Sequence, residues 1–191
     1  MAKKIWFIRH GESTANAGGI TSDHKTIPLS PLGEEQAQTI SRSIPKTPTL
    51  IITSAFDRTR QTAEPTIKLF PSTRCEIWEV EEFTYLSPNT CINTTAADRK
   101  IRVNEYWERL DPAYIDGEGA ESFNMLLARA EAVINRLKGF ESGLVVIFTH
   151  ALFMQAIEAL RASDGKEDAK SLMRQFRDLP RYNNCEILKW E

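Results

Sequence analysis

Two arginines and two histidines lie beside short apolar segments of this chain, and their side chains are suited to phosphate chemistry. Arg9 and His10 follow "KKIWFI", His150 follows "LVVIFT", and Arg58 lies a few residues after "TLIIT". A guanidinium group offers paired donors to phosphate oxygens. A neutral imidazole can attack phosphorus, and a second imidazole can stabilise the charge on the phosphoryl oxygens. Brought together by folding, these four side chains would form a site for phosphoryl transfer.

The three apolar segments have the pattern of β-strands that are covered on both faces. They span residues 5–8, 49–53 and 144–149, and they are apolar without alternation. Helical patterns lie between them, so the order of elements indicates βαβ units. Ligands of such sheets bind at the carboxyl ends of the strands. We therefore predict an α/β fold, a three-layer sandwich with a mainly parallel sheet, helices on both faces and a small cap insertion over the active edge.

Three helices are predicted from capping residues and apolar spacing. The first begins at Pro31, after Ser30 as its N-cap. The second, "AFDRTRQTAEPTIKLF", contains Pro65, which is expected to bend it. The third, "ESFNMLLARAEAVINRLKGF", has the strongest apolar stripe, and Met125 is assigned to the core. The inward stripe predicted for the first helix consists of Leu32, Ala37, Ile40 and Ile44.

The segment from about residue 83 to 120 differs from the rest of the chain. It is rich in proline, asparagine and glycine, and it contains one polar helical pattern, "AADRKIRVNEYWERL". We interpret residues 83–120 as a cap insertion that covers one edge of the sheet. The chain is then one domain, residues 1–191, and "CEILKW" near its end is predicted to be a final strand.

The composition argues against several classes of partner. The chain has 191 residues and a formal net charge of −2, which gives no global positive field for nucleic acid or a membrane surface. The apolar run near the N-terminus is too short for a secretion signal, and no stretch has membrane-spanning length. The three cysteines are scattered and lack metal-site spacing, so we expect reduced thiols and a cytoplasmic location. The oligomeric state is not indicated.

Several motifs resemble those of the histidine phosphatase superfamily, also called the phosphoglycerate mutase-like family. "RHGESTAN" is similar to its signature, and "PLSPLGEEQA" resembles the next motif. "TSAFDRTRQTAE", "GAESF" and "VVIFTHALF" follow in the order found in that family. The matches extend from about residue 5 to residue 153, and several motifs in order are far more specific than one.

The resemblance implies a role for each residue of the predicted site. His10 would be the nucleophile that accepts the phosphoryl group. Arg9, Arg58 and His150 would bind the phosphoryl oxygens, although Arg58 lies at a helix start that looks exposed. Asn16 would add a hydrogen bond to the phosphate. The resemblance implies that no metal is needed, because the arginines and the second histidine neutralise the phosphoryl charge, and no cofactor is expected for this chain.

The proton donor and one phosphate contact are less closely matched to the family pattern. The acid is expected shortly after the third strand, within "WEVEEFTYL", where Glu82 is the best match and Glu81 the second. Glycine usually follows the second histidine, whereas this chain has Ala151, which is assigned to phosphate binding. An aspartate commonly found before the "PLS" motif is replaced by Thr26.

Some of these residues also have purely structural interpretations. Asn16 can cap the loop after Ser13, and Glu12 is assigned a structural role. The acidic run that includes Glu82 can be the solvated edge of a strand. His24 lies in a polar loop and is expected at the surface.

Together, the motifs predict a phosphomonoester hydrolase, a metal-independent phosphatase of the histidine acid phosphatase type. It would act through a phosphohistidine at His10 on a small phosphorylated metabolite or a phosphoprotein. A phosphoglycerate mutase is the first alternative, but it would need cap cations facing the site. Arg99, Lys100, Arg102 and Arg109 are instead expected to face solvent.

The second alternative is a domain that binds a phosphorylated ligand without turnover. It stays open because the proton donor is less closely matched to the family pattern. The leaving group is expected to be recognised by the cap insertion, in which the candidates are Phe83, Tyr85, Trp107 and Tyr114.

Overall fold

The computed structural model describes residues 2–163 and 165–190, and a five-stranded sheet forms the centre of that part of the chain. The strand order is β3-β2-β4-β1-β5. The first four strands run parallel, and β5 pairs antiparallel with β1. The strands are β1 (Lys3–Arg9), β2 (Leu50–Thr53), β3 (Arg74–Ile77), β4 (Gly143–Thr149) and β5 (Ile187–Trp190).

Six α-helices in the described residues connect and cover these strands. The predicted N-cap of the first helix is confirmed, since the Ser30 hydroxyl accepts a hydrogen bond from the Gly33 amide. The helix near the C-terminus was not predicted. The third strand, which was expected before "WEVEEFTYL" but without bounds, is the largely exposed β3. The helices are α1 (Pro31–Arg42), α2 (Asp57–Leu69), α3 (Lys100–Arg109), α4 (Phe123–Lys138), α5 (Ala151–Ser163) and α6 (Ala169–Phe176).

Both faces of the sheet are covered by helices. In β1, Ile5 and Phe7 join one apolar cluster, whereas Trp6 and Ile8 join the other. The first cluster contains the buried faces of α4, α5 and α6, and the second contains those of α1 and α2. This explains the unbroken apolar runs in the sequence, because a strand between two helical layers buries both parities. The predicted three-layer α/β fold is confirmed.

Two core assignments are wrong, and both errors come from helical phase. Leu32 is 49% exposed, because successive residues of an α-helix are about 100° apart and Gly33 takes the inward position next to it. Met125 is 50% exposed for the same reason, since Leu126 turns inward. Ile44 is buried, but it lies beyond the end of α1.

The segment between β3 and α4 packs against the helical layer that contains α4, α5 and α6. Phe83, Tyr106 and Trp107 are buried in the same apolar cluster as α4. Arg102 forms a salt bridge of 2.6 Å with Asp116, whose carboxylate also accepts from the Ser87 amide. Helix α3 of this segment begins at Lys100, later than predicted, because residues 96–99 form a turn.

No helix in the described part of the chain has the length and apolar composition needed to cross a membrane.

Candidate active site

His10 lies directly after β1, and its two ring nitrogens make different hydrogen bonds. Nδ1 lies 2.7 Å from the carbonyl oxygen of Gly11, which can only accept, so Nδ1 carries the proton. Nε2 accepts a hydrogen bond of 3.2 Å from Nε of Arg58. Burial lowers the pKa of His10 well below 6.5, and the positive charge of Arg58 lowers it further. The neutral ring therefore presents the lone pair of Nε2 as a nucleophile.

Arg58 is in the first turn of α2 and is only 6% exposed, contrary to the exposed position expected from the sequence. The helix begins over the carboxyl edge of the sheet, which turns Arg58 inward. Its Nη1 donates to the carbonyl oxygen of His24 at 2.7 Å, and its guanidinium lies over the ring of Phe56. Burial lowers the pKa of Arg58 to about 10, so the side chain is charged at neutral pH.

His150 follows β4, the strand next to β1, and lies beside His10. The two ring centroids are 5.1 Å apart, and His150 is fully buried. Its Nε2 lies 2.9 Å from the Ser54 hydroxyl, whereas its buried Nδ1 has no hydrogen-bond partner among the described residues. Burial lowers the pKa of His150 well below 6.5, and Arg58 and His10 act in the same direction. A neutral imidazole with a free Nδ1 can donate one hydrogen bond to a phosphoryl oxygen.

Arg9, the last residue of β1, completes the cationic group at this edge. Its Nη1 donates to the carbonyl oxygen of Tyr182 at 2.7 Å, which ties the site to the segment before β5. Its Nε is buried and lacks a hydrogen-bond partner in the described structure. Burial lowers the pKa of Arg9, and the nearby Glu82 opposes that change.

Glu82 is held at the same edge by two backbone amides. Its Oε1 accepts from the Phe83 amide at 3.1 Å and from the Leu152 amide, in the first turn of α5, at 3.0 Å. Burial raises the pKa of Glu82 above 4.5, although Arg58 acts against this change. The protonated carboxyl is therefore favoured to a higher pH than in water, as a general acid requires.

The segment before Glu82 is held in place by Arg129 of α4, which sequence reasoning did not single out. Its Nη1 donates to the carbonyl oxygens of Glu79 and Glu81, and its fork binds both carboxylate oxygens of Glu121. The Glu81 carboxylate accepts from the Ala55 amide instead of facing the site residues above. Glu79 of this acidic run is exposed, as the solvated-edge interpretation expects, whereas Glu82 is held by two amides at the site.

Asn16 makes the loop contacts of its structural interpretation and also lines the cavity described below. Its side-chain Oδ1 accepts hydrogen bonds from the backbone amide of Ser13 and from Nδ2 of Asn184. The backbone amide of Asn16 donates to the Ser13 hydroxyl. Nδ2 of Asn184 also donates to the carbonyl oxygen of His10. The side chain thus fixes the loop after His10 at the rim of the site.

The predicted motifs contact each other through hydrogen bonds that join distant segments. The Gly11 amide donates to the Thr62 hydroxyl of α2, which in turn donates to the carbonyl oxygen of Arg58. The Glu12 carboxylate accepts from the Ser30 hydroxyl, which supports its structural assignment. Thr62 therefore positions the loop that carries the nucleophile relative to Arg58.

A cavity of about 240 Å³, the site cavity, lies over His10, between the strand ends and the segment after Glu82. His24, whose side chain is partly exposed, lines it, and so does Arg99, contrary to the expected solvent-facing position. His150 and Ala151 are not among its lining residues: His150 is buried beside His10, and Ala151 lines a neighbouring cavity. The residues from the predicted site that line it are Arg9, His10, Asn16, Arg58 and Glu82.

The aromatic residues proposed for the leaving group separate into three places. Phe83 and Tyr85 line the site cavity. Trp107 lines the neighbouring cavity, and Tyr114 packs under the guanidinium of Arg109 away from both. Within the described residues, no group of three or more His, Cys, Asp or Glu side chains has the arrangement of a metal site.

The strand ends and their side chains define an α/β enzyme that acts on phosphate esters. The sequence model of the histidine phosphatase superfamily (branch 1) matches residues 5–179. This chain belongs to that superfamily, and the predicted family and hydrolase class are confirmed.

Relatives and solved structures of phosphatases are similar to this chain. It is 27% identical over 154 residues to the adenosylcobalamin/alpha-ribazole phosphatase of Escherichia coli, covering 75% of this chain and 72% of that protein. Its fold resembles that of a phosphoserine phosphatase from Entamoeba histolytica in complex with 3-phosphoglyceric acid, with a TM-score of 0.75, 19% identity and coverage of 98% and 89%. A mycobacterial glucosyl-3-phosphoglycerate phosphatase gives a TM-score of 0.74 at 20% identity, with coverage of 99% and 90%.

Proposed function

We propose that this protein hydrolyses phosphomonoesters through a phosphohistidine formed at His10. The observation that carries the proposal is the hydrogen bonding of His10, whose Nδ1 donates to Gly11 and leaves the lone pair of Nε2 beside Arg58. A neutral, oriented imidazole next to a buried cation can attack the phosphorus of a bound ester. Binding of the substrate would replace the Arg58 contact, so that the guanidinium then binds a phosphoryl oxygen.

The reaction divides into two displacements at phosphorus. Nε2 of His10 forms a bond to phosphorus while the bond to the leaving oxygen breaks, and the protonated Glu82 delivers its proton to that oxygen. In the second step Glu82, now a carboxylate, takes a proton from water as the water oxygen attacks phosphorus and the P–N bond breaks. Arg9, Arg58 and His150 would stabilise the negative charge that builds on the phosphoryl oxygens in both steps.

The substrate is proposed to be a small phosphorylated metabolite. The relatives named above are phosphatases, and the site cavity of about 240 Å³ has room for a small phosphate ester. A phosphoprotein would have to present its side chain past the segment of residues 83–120. We propose that this segment is a cap within a single domain of residues 1–191. The cytoplasmic location stays a prediction, which cell fractionation tests.

Turnover with several phosphate esters tests the proposal. We expect release of phosphate from p-nitrophenyl phosphate and from at least one sugar phosphate, phosphoglycerate or nucleotide, unchanged by EDTA. Loss of activity with the chelator and recovery with a divalent ion would contradict the metal-independent mechanism. Conversion of one phosphoglycerate isomer into the other without phosphate release would favour the mutase, and binding without turnover would favour the non-catalytic domain.

A further inference from the structure

A second cavity, of about 710 Å³, adjoins the site cavity. It lies between α3, the first turn of α5 and the segment that follows α6. Arg9 and Tyr85 line both cavities, so these two side chains form the boundary between them. Its volume falls in the range of about 300–1,000 Å³ that is common for small-molecule sites.

The second cavity is strongly positive, although the chain as a whole carries a net charge of −2. Lys100, Arg177 and Arg181 line it together with Arg9, and no Asp or Glu is among its described lining residues. Lys100, Arg177 and Arg181 are exposed, and within residues 2–163 and 165–190 none of the three forms a salt bridge with a carboxylate. Such a group of unpaired cations attracts an anion.

The same cavity also has an aromatic and apolar wall. The rings of Trp107 and Phe176 are stacked, with centroids 5.6 Å apart, and form its buried floor, since they are 7% and 1% exposed. Leu152, Val103 and Tyr182 add further apolar surface. A site with flat apolar walls and a few charged groups at its edge suits a ligand that combines a ring with a negative charge.

The position of Glu82 connects this cavity to the reaction. Its carboxyl is bonded to the amide of Leu152, a residue that lines the second cavity, while Glu82 itself lines the site cavity. The leaving oxygen must meet this carboxyl to receive its proton. From there, the second cavity is reached across the boundary formed by Arg9 and Tyr85.

We propose that the second cavity binds the leaving group of the substrate, and that this leaving group contains a ring or other flat apolar body and a second negative charge. This inference rests on the proposed phosphatase function and narrows its substrate class. Lys100, Arg177 and Arg181 would bind the second charge. The partly exposed side chains of Tyr85, Val103 and Leu152 would contact the ring.

A matched pair of esters tests the proposal. They are 4-(carboxymethyl)phenyl phosphate and 4-(carbamoylmethyl)phenyl phosphate, which have the same shape and differ in charge. The methylene group separates the charge from the ring, so the two phenols leave with similar ease. An exposed ion pair is worth up to about 1 kcal/mol, or about fivefold, so several cations should give the charged ester a roughly tenfold higher kcat/KM. Added salt should reduce this ratio.

Substitution of the cations tests whether the preference for the charged ester arises in the second cavity. In Arg177→Gln/Arg181→Gln, the ratio of the two kcat/KM values should fall to about 2 or less, by the same per-pair magnitude. Arg174→Gln is the matched control, because Arg174 is an exposed arginine of α6 outside the cavity lining, and its ratio should equal that of the unmodified protein.

The outcomes separate this inference from the proposed function. A ratio of one in a protein that hydrolyses p-nitrophenyl phosphate would overturn the charged subsite alone. A high ratio that the double variant retains would also overturn it, since the selectivity would then arise elsewhere. Absence of phosphate release from every ester would overturn both proposals.

Discussion

Nε of Arg58 donates a hydrogen bond of 3.2 Å to Nε2 of His10, although the two residues are 48 positions apart. The bond depends on α2, which starts at the carboxyl edge of the sheet beside the end of β1. This bond orients the lone pair of the proposed nucleophile until a phosphate ester binds and accepts the hydrogen bond of the guanidinium in its place. The same cation disfavours protonation of His10, so one contact controls both orientation and charge.

Removal of that cation should raise the pKa of His10. In Arg58→Met the positive charge is lost but the burial remains, so the pKa should move toward 6.5 and stay below it. NMR titration of the histidine ring protons measures this shift, with His10→Gln used to assign the signal. Arg60→Met is the control, because Arg60 is exposed and forms a salt bridge with Asp57. Equal His10 titrations in both variants would contradict the electrostatic role of Arg58.

Glu82 and Glu81 should differ in their effect on esters with poor leaving groups. Glu82→Gln can accept the same amide hydrogen bonds but cannot deliver a proton, so turnover of a sugar phosphate should fall roughly 10²–10⁴-fold. The loss should be much smaller for p-nitrophenyl phosphate, whose phenolate needs little protonation. Glu81→Gln keeps an acceptor for the Ala55 amide and should leave both rates nearly unchanged. Reversed behaviour of the two variants would transfer the acid role to Glu81.

The pH profile should contain a descending limb that belongs to Glu82. Glu82 must be protonated in the first step, and burial raises its pKa above 4.5. The value of kcat/KM for a poor leaving group should therefore fall as pH rises through that raised pKa. The phosphate ester also ionises in this range, and Glu82→Gln separates the two effects. The variant should lose the limb, whereas an identical limb in the variant would show that it comes from the substrate.

Gly33 should not tolerate a side chain. A Cβ there would lie 2.0 Å from the carbonyl oxygen of Glu12, in the loop that follows His10. Gly33→Ala must push this loop away from α1, and we expect a loss of about 1–3 kcal/mol in the free energy of unfolding together with lower kcat. Chemical denaturation measures the first and steady-state kinetics the second.

Gly139→Ala provides the control for that substitution. Its added Cβ would be 3.4 Å from the carbonyl oxygen of Arg136, an ordinary contact distance, and its φ of −71° suits alanine. The change in unfolding free energy should stay within about 0.5 kcal/mol. Equal stability of the two variants would show that the contact between Gly33 and Glu12 is not tight in solution.

Much of the fold could be predicted because the strands β1 and β4 are buried on both faces and their composition shows it. The exposed strand β3 carries no such signal, since its pattern is polar, and its pairing with β2 is a tertiary contact. The short helix α6 was missed although its signals are present in the sequence. Its buried residues Leu172, Met173 and Phe176 have helical spacing, and Asp168 caps its start, but its eight residues make the pattern brief.

The site shows the same division. Arg9, His10 and His150 could be placed because each ends a strand or follows one directly, and strand ends meet at one edge. The inward position of Arg99 depends on its hydrogen bonds to Thr21 and Thr94, in two loops whose approach no local pattern reveals. Arg129 was missed for the same reason, since its partners lie 8 to 50 residues away.

Trapping of the phosphoenzyme tests the central proposal most directly. The protein is mixed with a labelled phosphate ester, quenched in alkali, where phosphohistidine survives, and digested for mass spectrometry. We predict phosphate on His10, formed at least as fast as steady-state turnover, and none in a folded His10→Ala variant, whose turnover should fall by several orders of magnitude. Rapid turnover with phosphate on another residue, or an active His10→Ala variant, would contradict the account.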